Sequence, residues 1–248
     1  METDEIQKDV RMNGEDKYYL KRKRSIVGQF NSMLKKMYPY IESQFGGEFA
    51  ETLIPQLLLE LEEIIPKIPD VGGKKSPFIR EMVLSAYAVS FYQAMNRSGI
   101  PLRDIGLTLY RSFEYYLNTL PRSIRWLMGA WSFSPFVKKR YEGGVSESKS
   151  GIYPKGFVYD YVGGDGESFD YGLDIKECGI LKFFQSLGIE EFTPYLCITD
   201  YCVCKSLFTG FYRTSTLASG GPVCDFRFKK GGETADGWPP EALPEWKG

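Results

Sequence analysis

The sequence predicts an α+β fold: a helical N-terminal half, then a small antiparallel β-sheet crossed by two helices. Three observations carry this. Up to about residue 142 apolar residues recur at helical spacing. Beyond the Gly- and Ser-rich stretch 143–151 the pattern changes to alternating aromatic and polar residues. Glycine and proline punctuate both regions into elements of ordinary length.

Taken in order, residues 1–25 read as a polar arm. Its basic cluster, Lys21 to Arg24, lies among Glu and Asp and reads as a solvated helix face rather than a binding patch. A helical region spans 26–142. Phe30, Met33, Leu34 and Met37 mark one helix, and Leu57, Leu58, Leu61, Ile64 and Ile65 the next, with Gly46 and Gly47 between them. PDVGGKKSP (69–77) is a loop by composition. Residues 78–97 form a third helix whose small Ser85, Ala86 and Ala88 permit close packing, and 102–119 form a fourth that ends before Pro121. The aromatic segment 122–141 reads as a buried helix broken at Pro135, in preference to a lid over a pocket.

An α+β region covers 143–230. GFVYDYV (156–162) and SFDYGLDI (168–175) flank GGDG, a hairpin pattern. Short helices are expected near 175–187 and 193–208, followed by strands FYRTSTLA (211–218) and VCDFRFKK (223–230) around SGGP. The tail 231–248 reads as irregular chain packed on the rest, so the whole forms one compact unit.

Composition removes many functions. The net charge of −1 calls for neither nucleic acid nor an anionic membrane. No apolar run approaches the roughly 20 residues of a membrane span, and METDEIQKDV is unlike a secretion signal, so a cytoplasmic location is expected. The five cysteines suit reduced thiols better than a disulfide framework. There is no histidine, which excludes Ser-His-Asp and Cys-His nucleophiles and all His-ligated metal. Acid–base work falls to Asp, Glu, Cys, Tyr or Lys.

Chemistry-bearing residues concentrate in 174–227. In DIKECG, Asp174 as N-cap and Glu177 at N3 would make a capping box and place Cys178 in a first helical turn. In TPYLC, Thr193 as N-cap and Pro194 at N1 would put Cys197 one turn in. Positions 197, 201 and 204 share a helical face beside Asp200, while Cys202 points away into packing. On the last strand, Cys224, Phe226 and Phe228 take one face and Asp225 and Arg227 the other. Each thiol alone could be ordinary core, and Asp225 with Arg227 a plain surface ion pair. Zinc held by Cys178, Cys197 and Cys224 is a rival explanation, though no Cys-x-x-Cys knuckle is present.

The order of ECGILKFFQSLGIEEFTPYLCITDYCVC and FYRTSTLASGGPVCDFRF resembles the L-2-amino-thiazoline-4-carboxylic acid hydrolase family. The matching positions are Cys178; Cys197, Asp200 and Tyr201; Arg213 to Gly221; and Cys224 to Arg227. Cys202 and Cys204 look like additions of this chain. The resemblance implies hydrolysis of a cyclic isothiourea.

On that basis the expected catalytic set is Cys224 as nucleophile and Asp200 as general base, with Cys178 and Cys197 in the pocket wall. Arg227, Asp225, Arg213, Tyr201 and Thr216 form the expected substrate-binding set. No cofactor is required, the partner is a small molecule, and homo-oligomerisation stays open. The competing class is a non-catalytic sensor that binds a small ligand or metal in the same pocket.

Overall fold

A computed structural model describes residues 17–246. Residues 1–16 of the expected polar arm lie outside them, and the remainder of that arm, 17–25, is helical. Helix α1 spans Lys17–Lys21, α2 Lys23–Phe45 and α3 Gly47–Ile64. On α2 the buried residues Ile26, Phe30, Leu34, Met37 and Ile41 recur every three or four positions, a single apolar stripe. It packs against the stripe Ala50, Leu53, Leu57, Leu61 and Ile64 of α3. Gly46, at φ 84°, makes the turn between the two helices in a conformation that side chains resist. Burying each large member of these stripes contributes about 1.5–3 kcal/mol. Phe30, stacked on Tyr87 at 4.4 Å, is the position where truncation to alanine costs most, about 3–5 kcal/mol.

Helix α4, Ile79–Arg97, is buried nearly all round, and Ser85, Ala86 and Ala88 are closed to solvent as their size predicts. Helix α5, Leu102–Asn118, follows and supports the C-terminal helices. The aromatic segment differs from expectation. It divides into α6, Arg122–Ser132, and α7, Pro135–Lys149, with Ser134 capping α7 by accepting a hydrogen bond from Val137 N. The break precedes Pro135 as predicted, but α6 is not a buried helix: only Gly129 is fully covered. A Cβ there would meet the Leu207 carbonyl oxygen at 2.0 Å, so glycine is what lets α6 touch the body. High aromatic content is a misleading cue here, because no described residue covers the outer face of α6. The Gly- and Ser-rich stretch also does not stop the helix, since α7 runs to Lys149.

The sheet has strands β1 (Val158–Gly163), β2 (Tyr171–Glu177), β3 (Thr209–Tyr212) and β4 (Cys224–Lys230), all antiparallel, in the order β1-β2-β4-β3. Pairing of Ile175 with Cys224, Leu173 with Phe226 and Tyr171 with Phe228 puts these six side chains on one face, toward the helices. The other face carries Asp160, Asp174 and Asp225 in a row across three strands.

Helices α8 (Gly179–Ser186), α9 (Thr193–Cys197) and α10 (Thr199–Ser206) cross the inner side. Two predicted caps are corrected. β2 runs through Glu177, so Asp174 is a strand residue and Cys178 itself is the N-cap of α8. Phe192 is the N-cap of α9, Thr193 is helical, and the helix stops at Cys197 before restarting at Thr199. β3 is also shorter than expected, because the side chains of Asp225 and Thr216 capture the backbone of 214–219. The Asp225 carboxylate accepts from Thr214 N (2.9 Å), Ser215 N (2.7 Å) and Thr214 Oγ1 (2.6 Å). Thr216 Oγ1 accepts from Ser219 N at 3.1 Å, and Thr216 O from Gly221 N at 2.8 Å. No helix among the described residues is long and apolar enough to cross a membrane.

Candidate active site

The site lies where the inner face of β4 meets α8, α9 and α10. Strand alternation places the Cys224 thiol inward, and the 216–221 loop folds over it so that Leu217 N donates to Sγ at 3.2 Å. That N–H favours the thiolate, but burial outweighs it and pushes the Cys224 thiol up to about 12. Cys178, at the entry to α8, faces the N–H groups of Ile180 and Leu181, which oppose the upward push of burial on its thiol. Cys197, at the end of α9, is raised by burial and held back by the Arg213 guanidinium.

These thiols form one group. Cys197 feels the charges of Cys224, Cys178 and Asp200, and Cys224 feels Cys178, Arg213 and Asp200. Four groups drawn from β4, α8, α9 and α10 thus lie within electrostatic reach of one another. Cys178 and Cys197 are only partly covered, and the Asp200 side chain keeps 42% of its surface open. Burial nevertheless raises the Asp200 carboxyl, against the pull of Arg213. Asp200 is thus part-open to solvent while its surroundings disfavour its charge, the setting in which a carboxylate becomes a useful base.

Arg213 anchors this wall. It is 1% exposed, and its Nη1 donates to Asp200 Oδ2 at 2.9 Å. Nε and Nη2 donate to Glu245 Oε1 at 3.2 and 3.0 Å, and Nη2 also to the Cys197 carbonyl oxygen at 3.2 Å. The rings of Tyr201, Phe211 and Phe226 surround the guanidinium at 4.9–5.7 Å. The Tyr201 hydroxyl donates to the same Glu245 carboxylate at 2.8 Å. Arg213 and Tyr201 are thus occupied in fastening the tail and α10 together, and Arg213 aims Asp200.

Three other members of the expected binding set do not reach the pocket. Arg227 is on the outer face, bonded to Asp174 at 2.7 Å and to the Phe226 carbonyl oxygen at 2.8 Å. Asp225, also outward, holds the 214–215 backbone and makes no ion pair with Arg227, since the two have separate partners. Thr216 is 1% exposed and caps the short turn over Cys224. Cys202 packs inward as expected and donates to Thr199 O at 3.1 Å; Cys204 is buried as well. The metal set Cys178, Cys197 and Cys224 does not assemble as a chelate. Among the described residues no three Cys, Asp or Glu side chains are placed to hold a metal ion.

Sequence reasoning missed two acids. Glu245 lies in a tail that showed no periodicity, and its 3% exposure comes entirely from tertiary contacts. Glu81, in the first turn of α4, has a buried Oε2 with no hydrogen-bond partner and feels the charge of Asp200. Burial raises its carboxyl, opposed first by a hydrogen bond from its own backbone N–H and then by Arg80 and Arg140. An acid inside an otherwise apolar helix was the available signal.

A family model described as L-2-amino-thiazoline-4-carboxylic acid hydrolase matches residues 80–228, from the start of α4 to β4. No curated protein and no solved structure matches the chain. The matched stretch contains Glu81 and all of Cys178, Cys197, Asp200, Arg213 and Cys224, and it covers more than half of the sequence; the chain belongs to the L-2-amino-thiazoline-4-carboxylic acid hydrolase family.

Proposed function

We propose that this chain is a hydrolase that opens a small cyclic amidine bearing a carboxylate, of the 2-aminothiazoline-4-carboxylate type. The family name denotes hydrolase chemistry on such a ring. The residue assignment is supported by Cys224 lying within electrostatic reach of Asp200, with a backbone N–H already bonded to the thiol sulfur.

In this reading Asp200 meets the protonated amidine. Its Oδ2 is held by Arg213, and the rest of its open surface faces the ligand. A carboxylate and an amidinium make a forked, charge-assisted pair. The ligand's positive charge then lowers the thiol toward ionisation, and Asp200 takes the proton from Cys224. Sulfur adds to the amidine carbon and the Leu217 N–H stays at Sγ.

Rupture of one ring bond at that carbon leaves the ligand joined to Cys224. The proton held by Asp200 passes to the departing ring atom. Water then adds to the same carbon and expels Cys224, so the net change is the addition of one water to give a carbamoyl-cysteine. Arg213 and Arg227 are engaged elsewhere, so the ligand carboxylate falls to the N–H groups of Ile180 and Leu181 at the entry to α8.

The test is incubation of the purified chain with 2-aminothiazoline-4-carboxylate, followed by mass spectrometry and a free-thiol assay. The expected result is a gain of one water. A new free thiol marks rupture of the ring C–S bond, and its absence marks rupture of C–N. No turnover of this compound or of close cyclic amidines overturns the proposal.

A further inference from the structure

The α6–α7 hairpin is built unlike the rest of the surface. Opposite Gly129, the residue by which α6 touches the body, Ile124, Leu127 and Trp131 form a ridge at spacings of three and four. They are 45%, 59% and 60% exposed, and Phe136, at 63%, extends the ridge from α7 with its ring 6.0 Å from that of Trp131. Trp126 stands exposed on the flank. A contiguous apolar ridge of this kind marks an interaction surface rather than scattered exposure.

Charge says what covers it. Residues 121–141 contain Arg122, Arg125, Lys138, Lys139 and Arg140 and no acidic residue, while the rest of α7 adds Glu142, Glu147 and Lys149. Among the described residues none of the five pairs with a carboxylate. Arg125 donates to Asn118 Oδ1 and the Ser206 carbonyl, Lys138 to the Asp170 carbonyl, Arg140 to the carbonyls of Lys74 and Ser76, and Arg122 lies over the Phe208 ring. The overall charge of −1 conceals this local excess. A second copy seated on the same ridge would set this local basic excess against its own.

We propose that the α6–α7 hairpin docks on an anionic phospholipid surface. The ridge enters the interface beneath the headgroups, and Arg122 and Lys139, both exposed, meet the phosphates. Trp126 and Trp131 take the interfacial level that amphipathic rings favour. The chain lies on the bilayer rather than across it.

The full chain is tested with vesicles of phosphatidylcholine containing phosphatidylserine, and with phosphatidylcholine alone. The expected result is co-sedimentation with the anionic vesicles only, weakened by salt, with a blue shift of tryptophan fluorescence. Leu127→Glu with Trp131→Glu abolishes binding, and Arg122→Gln with Lys139→Gln lowers the partition constant by about tenfold or more. All four positions are exposed, so thermal melting and ring-opening activity stay at the wild-type level. Three outcomes overturn the proposal: no binding to anionic vesicles, equal binding to neutral ones, or a solution dimer that the Leu127→Glu and Trp131→Glu pair converts to monomer.

Discussion

The two faces of the sheet handle the same residue types in opposite ways. On the outer face Asp160, Asp174 and Asp225 sit in register across three strands, a placement that should repel. Each is relieved by its own donors. Lys149 and Lys176 hold the Asp160 carboxyl below the usual range, Arg227 bonds Asp174, and the 214–215 backbone bonds Asp225. On the inner side Asp200 has one guanidinium, poor solvation and an open flank, and its carboxyl is raised. A carboxylate with its donors satisfied serves structure; one left short of them keeps a raised carboxyl. β4 shows the division residue by residue, with Cys224 inward and Asp225 and Arg227 outward.

Breaking the inner network should have the largest effect. Arg213→Met leaves Asp200 and Glu245 buried without their guanidinium, and denaturant unfolding should show a loss of about 3–5 kcal/mol. Adding Glu245→Leu should restore part of it, because the uncompensated charge goes too. Asp200→Asn should lower kcat/KM by about 10²–10⁴-fold with a much smaller change in stability.

The pH profile sharpens the same point. A base whose carboxyl is raised must lose its proton to act, so activity should rise with pH through a limb above the ordinary carboxylate value of about 4. The rise should be complete well below the pH of about 12 at which the Cys224 thiol ionises alone. Activity that keeps climbing toward that value would mean that Asp200 takes no proton. Glu81 feels the charge of Asp200, so Asp200→Asn should ease ionisation of the Glu81 carboxyl, read by carboxyl NMR titration. An unmoved Glu81 titration would place the two acids outside each other's reach. On the outer face Arg227→Ala should cost about 1 kcal/mol or less, since its pair with Asp174 is only half-buried.

What was legible in the sequence follows the same division. Period-2 alternation in 223–230 assigned β4 its two faces, and helical stripes placed α2 and α3 correctly, because both signals are local. The thiols and Asp200 were singled out through a motif in the same stretch. Glu245 was invisible, since a tail residue becomes buried only when Arg213 and Tyr201 close on it. Arg227 was misplaced because the motif named it without regard to strand alternation, which already sent it outward. The buried α6 was an error of another kind: composition reports apolar content but not whether a partner element covers it.

The most direct test compares neighbours on one strand. Cys224→Ala and Arg227→Ala are assayed side by side for ring opening of 2-aminothiazoline-4-carboxylate, with circular dichroism confirming that both fold. The expected result is a loss of about 10³-fold or more for Cys224→Ala and a change within about twofold for Arg227→Ala. Turnover surviving in Cys224→Ala, with loss in Arg227→Ala, would place the chemistry on the other side of the sheet and contradict the account.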